Sequence, residues 1–171
     1  MTPSFSSFSL LVIGGQRFSA FYERLKAVYG EQIQPEKFEV IVEEEIARDF
    51  GGFSIKTGHV NHIPESIAFR IESADGKSAV FTGDTDYSVD LIKLAQDADI
   101  LVTECSFPDS QKVAGHLTPF SAGKIAQETN IKRLVLAHLY PPCEEVDIAS
   151  QCRKTYNGEI IVAEDQMKIK I

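Results

Sequence analysis

The spacing of apolar residues predicts one helix among strands in the first half of the chain. Between residues 18 and 29 apolar side chains recur at helical spacing, and Gly30 follows as a stop signal. The segments 38–44 and 53–57 alternate between apolar and polar residues and predict strands. Two further strands, 66–71 and 79–82, flank Asp75-Gly76, a pair typical of a hairpin turn.

Helical and continuously apolar segments alternate in the second half. Helices are predicted over 89–96, 119–129 and 144–156, and strands over 100–103, 133–137, 159–163 and 167–171. Thr118 is placed to cap the helix that begins with Pro119. We find no repeat and no linker, so we predict one domain over residues 1–171, of α/β (α+β) class, with a sheet covered by helices.

Composition narrows the possible functions. The chain has 171 residues, 43% of them apolar, which is enough to bury the core of one soluble domain. Its net charge of −8 disfavours binding of polynucleotides. The longest apolar runs are too short to span a membrane, and no signal peptide is evident, so we expect a cytoplasmic location. The three cysteines share no CxxC spacing, so we expect reduced thiols.

Polar residues with metal-binding chemistry follow several of the predicted strands. Asp84, Glu104 and His138 come at or just after the ends of three strands, and His62 follows the strand that contains residue 55. Loops at the carboxyl ends of strands converge in open α/β sheets, which is where ligands bind. Imidazole and carboxylate groups are ligands for zinc, and to a lesser degree for manganese or iron.

Each of these residues also has an ordinary structural interpretation. Asp84 lies in a Gly-Asp-Thr turn, where a carboxylate commonly stabilises the turn itself. Glu104 could cap a loop, and His138 could be a hydrogen-bonded core residue. His62 and His116 could be loop residues, and His59 is expected to be structural or exposed. The joint occurrence of three histidines and two acids at corresponding positions favours the metal-site hypothesis.

Five segments in chain order carry a resemblance to a known family. They are residues 62–70, Thr82-Gly83-Asp84-Thr85, residues 103–107, His116-Leu117-Thr118 and residues 137–141. In this order they resemble the later motifs of the metallo-β-lactamase superfamily, and its ribonuclease Z-like branch in particular. The resemblance implies a metallo-β-lactamase-like αββα sandwich with its metals at one rim.

The resemblance also implies roles for the residues. His62 would bind one metal, Asp84 would bridge two, and His138 would bind the other. His116 would donate a proton to the leaving group or stabilise charge, and Glu104 would orient it. The implied reaction is hydrolysis of an ester or phosphodiester by water that two metals, zinc in the first instance, make nucleophilic.

The sequence departs from the family in two ways. The signature His-x-His-x-Asp-His is absent, because His59 is the only histidine before His62. Each metal would then keep two protein ligands instead of three or more. We therefore expect the later portion of a longer hydrolase, incomplete at its N-terminus and with weakened metal binding. The alternative is a non-catalytic relative that acts as a binding or assembly module.

The second departure concerns substrates and partners. Only residues 71–82 separate the histidine motif from the Gly-Asp-Thr motif, where ribonuclease Z enzymes carry the arm that grips transfer RNA. Transfer RNA is therefore not expected as a partner, and a small molecule or phosphodiester is. Loss of the first strands of a sandwich would expose a sheet edge and an apolar face, so we also expect self-association.

Overall fold

The computed structural model describes residues 9–35 and 38–171. The strands are β1 (Ser9–Gly14), β2 (Glu39–Glu44), β3 (Ala47–Asp49), β4 (Phe53–His59), β5 (Ile67–Ser73), β6 (Ser78–Phe81), β7 (Ile100–Glu104), β8 (Arg133–Ala137) and β9 (Glu159–Val162). The helices are α1 (Phe18–Tyr29), α2 (Val89–Ala95), α3 (Pro119–Thr129) and α4 (Ile148–Cys152). None of the helices in the described ranges has the length and apolar character that crossing a membrane would require.

The direction of the strands determines where the loops meet. Strands β1 and β2 pair in parallel as a small sheet, and the other seven form one sheet in the order β3-β4-β5-β6-β7-β8-β9. Pairing is antiparallel from β3 to β6 and parallel from β6 to β9. Since β4 and β6 are both antiparallel to β5, they run in the same direction. The carboxyl ends of β4, β6, β7 and β8 therefore lie at one edge of the sheet.

Helices α2, α3 and α4 cover one face of the large sheet. Alternate residues of the inner strands point toward them, and Val80, Leu101 and Leu134 are completely buried. They form a single cluster with Leu91 of α2 and Ile125 of α3. Burial of each such side chain stabilises the fold by roughly 1.5–3 kcal/mol. This packed face holds the strands, and hence the edge at which they end, in fixed positions.

Helix α3 begins as predicted. The Thr118 hydroxyl accepts a hydrogen bond from the amide of Ser121, and the Ser121 hydroxyl accepts one from the amide of Thr118 at 2.8 Å. This reciprocal capping, with Pro119 in the first turn, stabilises the helix start. It also anchors the segment immediately after His116. The predicted helix over residues 18–29 and the hairpin at Asp75-Gly76 are likewise confirmed.

Two predicted elements are wrong. The helix expected over residues 144–156 is a 3-10 turn at Pro141–Glu145 followed by the short α4, because the Asp147 carboxylate caps a new helix start by accepting from the Ser150 amide at 2.8 Å. The strand expected over residues 167–171 is absent from the described fold, since Gln166 adopts a left-handed conformation that turns the chain away after β9. Strands β1 and β3 were not predicted.

Candidate metal centre

The five residues singled out in the sequence lie on loops and strand ends at one edge of the sheet. Glu104 is the last residue of β7, and His138 follows the last residue of β8. Asp84 follows β6 after Gly83, whose φ of 58° lies in the left-handed region that glycine adopts without strain. This turn directs the loop that carries Asp84 away from the end of β6.

His62 is oriented by a backbone carbonyl. Its Nδ1 lies 3.0 Å from the carbonyl oxygen of Gly115. A carbonyl oxygen can only accept a hydrogen bond, so Nδ1 carries the proton and donates it. The neutral ring therefore keeps its lone pair on Nε2, which is the arrangement usual for a metal-binding histidine.

Glu104 is a buried carboxylate surrounded by donors. The four donors are the amides of Thr85 (2.6 Å) and Leu117 (3.1 Å), the hydroxyl of Ser106 (2.5 Å) and Nδ1 of His116 (3.0 Å). Hydrogen bonds to a carboxylate are roughly twice as strong as those between neutral groups. Glu104 therefore connects the loop after Asp84 with the loop that carries His116.

Ser106 connects the two histidines that flank it. Because its hydroxyl proton goes to Glu104, its oxygen accepts from Nδ1 of His116 at 3.2 Å and from Nδ1 of His138 at 3.0 Å. Nδ1 of His138 also lies 3.5 Å from Oδ1 of Asp84. Both histidines thus hold their protons on Nδ1 and leave Nε2 available, as His62 does. Sequence reasoning assigned Ser106 no role, although it lies within one of the motifs.

Two overlapping groups of donor atoms result. One ligand atom each from His62, Asp84 and His116 lie within 4.8 Å of one another, and so do atoms of Glu104, His116 and His138. His116 belongs to both groups, with its ring centroid 5.0 Å from that of His62 and 6.0 Å from that of His138. The predicted ligand set was His62, Asp84 and His138, with His116 outside it. The structure brings all four residues together and places His116 between the other two histidines.

The donor set fits zinc. Imidazole nitrogen and carboxylate oxygen are its common ligands, and catalytic zinc sites use three protein ligands. His62, His138 and Asp84, with His116 beside them, offer enough such donors, whereas the oxygens of Glu104 already accept hydrogen bonds from four donors. The fourth histidine, His59, lies apart and pairs with Glu45 at 3.0 Å on the surface.

The backbone at His138 adopts a left-handed conformation, which is uncommon for residues other than glycine. Its φ is 55°, in the left-handed region, directly after β8 ends. Such a conformation costs roughly 1–3 kcal/mol and persists only where the surrounding structure enforces it, and residues of this kind cluster at functional sites. The amide of Tyr140, two residues later, donates to the carbonyl of Ser106 at 3.2 Å and fixes the turn.

Sequence reasoning also missed Asp86. Its Oδ2 accepts from Nζ of Lys112 at 2.7 Å and from the amide of Gly115 at 3.2 Å, and its own amide donates to the carbonyl of Asn61 at 2.7 Å. Burial alone would raise the pKa of Asp86, but the Lys112 ammonium and the amides of Tyr87 and Gly115 lower it below its ordinary value. Asp86 thus connects the loops that carry His62, Asp84 and His116. No signal in the sequence distinguished it from an exposed acid.

The cysteines take no part in this cluster. All three are buried and free, in agreement with the expectation of reduced thiols. Burial raises the pKa of Cys152 to about 12, so its thiol stays protonated at neutral pH. Of the described residues, histidines and acids alone provide donor atoms at this edge.

Comparisons with known proteins show which family the chain resembles. The family model for the beta-lactamase superfamily domain matches residues 25–139. The chain is 33% identical over 116 residues to "Probable metallo-hydrolase YhfI" of Bacillus subtilis, covering 66% of this chain and 47% of that protein. It is 31% identical over 102 residues to a ribonuclease Z of Haloferax volcanii, covering 56% of this chain and 32% of that protein. The chain thus spans between about a third and a half of these curated relatives.

Solved structures share the fold. The crystal structure of YhfI superposes with a TM-score of 0.75 at 24% identity, covering 91% of this chain and 63% of that one. Human tRNase Z, short form, superposes with a TM-score of 0.72 at 24% identity, covering 97% of this chain and 68% of that one. Because the family model takes in well over half of the chain and the fold agrees, this protein belongs to the metallo-β-lactamase superfamily, in its ribonuclease Z-like branch.

Proposed function

We propose that this protein is a metal-dependent hydrolase of esters or phosphodiesters, with His62, Asp84 and His138 as metal ligands and zinc as the metal. The observation that supports the proposal is that three neighbouring histidines each place Nδ1 beside a protein oxygen, which leaves Nε2 free to bind a metal, and that the Asp84 carboxylate lies beside them. Histidines that serve only the fold have no need of this shared orientation. The relatives named as metallo-hydrolase and ribonuclease Z support the same reaction class.

In the proposed reaction the metal would activate the water, and side chains of the protein would bind the metal and supply the proton. When bound, zinc polarises the scissile bond and makes water nucleophilic at neutral pH. In phosphodiester hydrolysis, water adds to phosphorus, the bond from phosphorus to the leaving oxygen breaks, and that oxygen needs a proton. His116 would donate it from Nε2 when its ring carries a proton on both nitrogens, and Glu104, 3.0 Å from Nδ1, would orient the ring. Asp84, half-buried beside His138, would be the carboxylate that bridges two ions.

Elemental analysis and hydrolysis of bis-p-nitrophenyl phosphate test the proposal together. We expect zinc to co-purify with the chain and Asp84→Ala to lower both zinc content and hydrolysis. The matched control is Asp90→Ala, which removes an exposed carboxylate that pairs with Lys93 on α2. Hydrolysis that survives Asp84→Ala, or a folded chain with neither zinc nor hydrolysis, would contradict the proposal. The second of these results would favour the non-catalytic binding module instead.

We further propose that the substrate is a small phosphodiester rather than transfer RNA and that the protein acts in the cytosol as a homo-oligomer. The net charge of −8 supports the exclusion of a polynucleotide. The segment between β5 and β6 is a tight turn with no room for an arm. Sedimentation of the purified chain tests the oligomeric state, and a monomer at micromolar concentration would contradict it.

A further inference from the structure

Two aromatic rings stand beside the histidines. The rings of Phe107 and Tyr140 stack with centroids 4.9 Å apart and planes inclined by 21°. Phe107 meets His116 at 72° and 6.1 Å, and Tyr140 meets His138 at 85° and 5.3 Å. We call this pair, Phe107 and Tyr140, the aromatic wall. Each of its members therefore contacts one histidine of the candidate centre.

The backbone holds the wall in place. The amide of Tyr140 donates to the carbonyl of Ser106, and the carbonyl of Tyr140 accepts from the amide of Cys143 at 2.8 Å. Pro141 begins the 3-10 turn directly after Tyr140, which further restricts the chain. The Tyr140 ring is thus presented from a rigid segment rather than from a free loop.

Packing within the protein leaves part of the aromatic wall exposed to solvent. Tyr140 keeps 42% of its surface exposed, and its hydroxyl has no hydrogen-bond partner among the described residues. A large ring that remains accessible and rigid beside polar groups suits stacking on a planar ligand, since little conformational entropy is lost on binding. Every nucleobase has such a planar face, and stacking on an aromatic side chain tolerates different bases.

The charge of the chain limits the size of that ligand. With a net charge of −8, the protein gains little from a long phosphate backbone. Stacking on the wall supplies affinity that does not depend on charge. A ligand with one phosphate and one planar ring would place the phosphate among the histidines and the ring on Tyr140, a neighbour of His138.

We propose that the aromatic wall binds the nucleobase of a mononucleotide-sized phosphodiester and that Tyr140 determines specificity for such substrates. This inference rests on the proposed function, because the phosphate has to be held at the candidate centre. Tyr140 acts on the ring of the substrate and not on the reacting atoms.

Fluorescence gives a direct test, because the chain has no tryptophan. Tyr140→Trp adds a sole indole that keeps the stacking surface. We expect AMP, in buffer containing zinc, to quench its emission saturably, and ribose 5-phosphate to quench it little. The matched control is Val28→Trp, at a position 76% exposed in the last turn of α1, whose emission should not respond to AMP.

Calorimetry gives the second measurement. The wild-type chain should bind AMP about tenfold more tightly than ribose 5-phosphate, in the range expected for stacking of one base. Tyr140→Leu should lose that factor for AMP and bind ribose 5-phosphate unchanged, whereas Tyr140→Phe should retain the wild-type preference. Thermal unfolding of each variant shows whether it is folded.

The outcomes separate this inference from the proposed function. Equal affinity of the wild type for AMP and ribose 5-phosphate overturns the aromatic wall alone, as does an unchanged AMP preference in Tyr140→Leu. Failure of both AMP and ribose 5-phosphate to bind overturns the proposed phosphate site and the inference with it. If Tyr140→Leu does not fold, the fluorescence of Tyr140→Trp still tests the inference. Emission that AMP does not quench would then overturn it.

Discussion

The carbonyl oxygen of Gly115 accepts the Nδ1 proton of His62 at 3.0 Å, across 53 residues of sequence. This one contact selects the tautomer of His62, whose ring lies close to Asp84 and His116, and leaves Nε2 with its lone pair. Gly115 can serve in this way because its φ of 85° is open to glycine, and because a Cβ there would stand 3.0 Å from Nδ1 of His62.

We predict that Gly115→Ala weakens zinc binding by about 10- to 100-fold, because the added methyl group displaces the His62 ring. Competition with a chromogenic chelator measures the zinc affinity. The matched control is Gly76→Ala, where φ is 82° but a Cβ would meet open space. Both variants carry the same backbone strain, so equal zinc affinities in the two would contradict the orienting role of Gly115.

Glu104→Gln should destabilise the fold as well as the site. Its new amide group would face four hydrogen-bond donors and leave at least one of them unsatisfied in a buried position. We expect the free energy of unfolding to fall by about 2–4 kcal/mol. Urea denaturation measures it, with Glu144→Gln, at an exposed glutamate, as the control. A loss no larger than that of the control would show that the hydrogen bonds to Glu104 contribute little.

The ion pair of Asp86 and Lys112 should act on the site through the loop that it holds. Asp86→Asn and Lys112→Met should each weaken zinc binding, because Lys112 also donates to the carbonyl oxygens of Val113 and His116. The double variant should be less affected than the sum of the two single variants, with a coupling of about 0.5–3 kcal/mol. Strict additivity of the zinc affinities would mean that the pair does not position the loop.

Acid should remove one identifiable contribution to stability. The hydrogen bond from Lys132, followed by that from the Ser78 amide, lowers the pKa of Asp99 from 3.8 to about 2. A lowered pKa stabilises the fold fully above about pH 4, and this stabilisation disappears as the pH falls through about 2.

We therefore expect Asp99→Asn to lower the free energy of unfolding by about 1–2 kcal/mol at pH 7 and to have a much smaller effect at pH 2. Urea denaturation between pH 2 and pH 7 measures this, and Asp165→Asn, at an exposed position, is the control. A difference between variant and wild type that does not change with pH would mean that the charge on Asp99 is not the cause.

Local patterns predicted the parts of the fold that local interactions determine. Continuous apolar runs indicated β7 and β8, and Thr118 with Pro119 indicated the start of α3. The run over residues 144–156 was misread because its composition favours a helix, while Asp147 caps a second start inside it. That choice depends on Ile148 packing into the core, which no local pattern reports.

In the site, too, local patterns predicted some residues, and contacts between distant segments determined the others. Its principal residues, Asp84 among them, could be named because they sit at strand ends within recognisable motifs. Their partners could not, because Ser106, Gly115 and Asp86 act through contacts between loops that are distant in the sequence. The inclusion of His116 in both donor groups likewise depends on the loop before α3, which Glu104 holds through Nδ1 of His116 and the amide of Leu117.

The hairpin turn at Asp75-Gly76 has a practical consequence. It joins β5 to β6 at the edge opposite the carboxyl end of β6, and a Cβ added at Gly76 would meet nothing within 4 Å. An epitope tag or a surface tether inserted between these two residues would therefore point away from the histidines. Immobilisation through this turn would leave the candidate centre facing the solution for ligand-binding measurements.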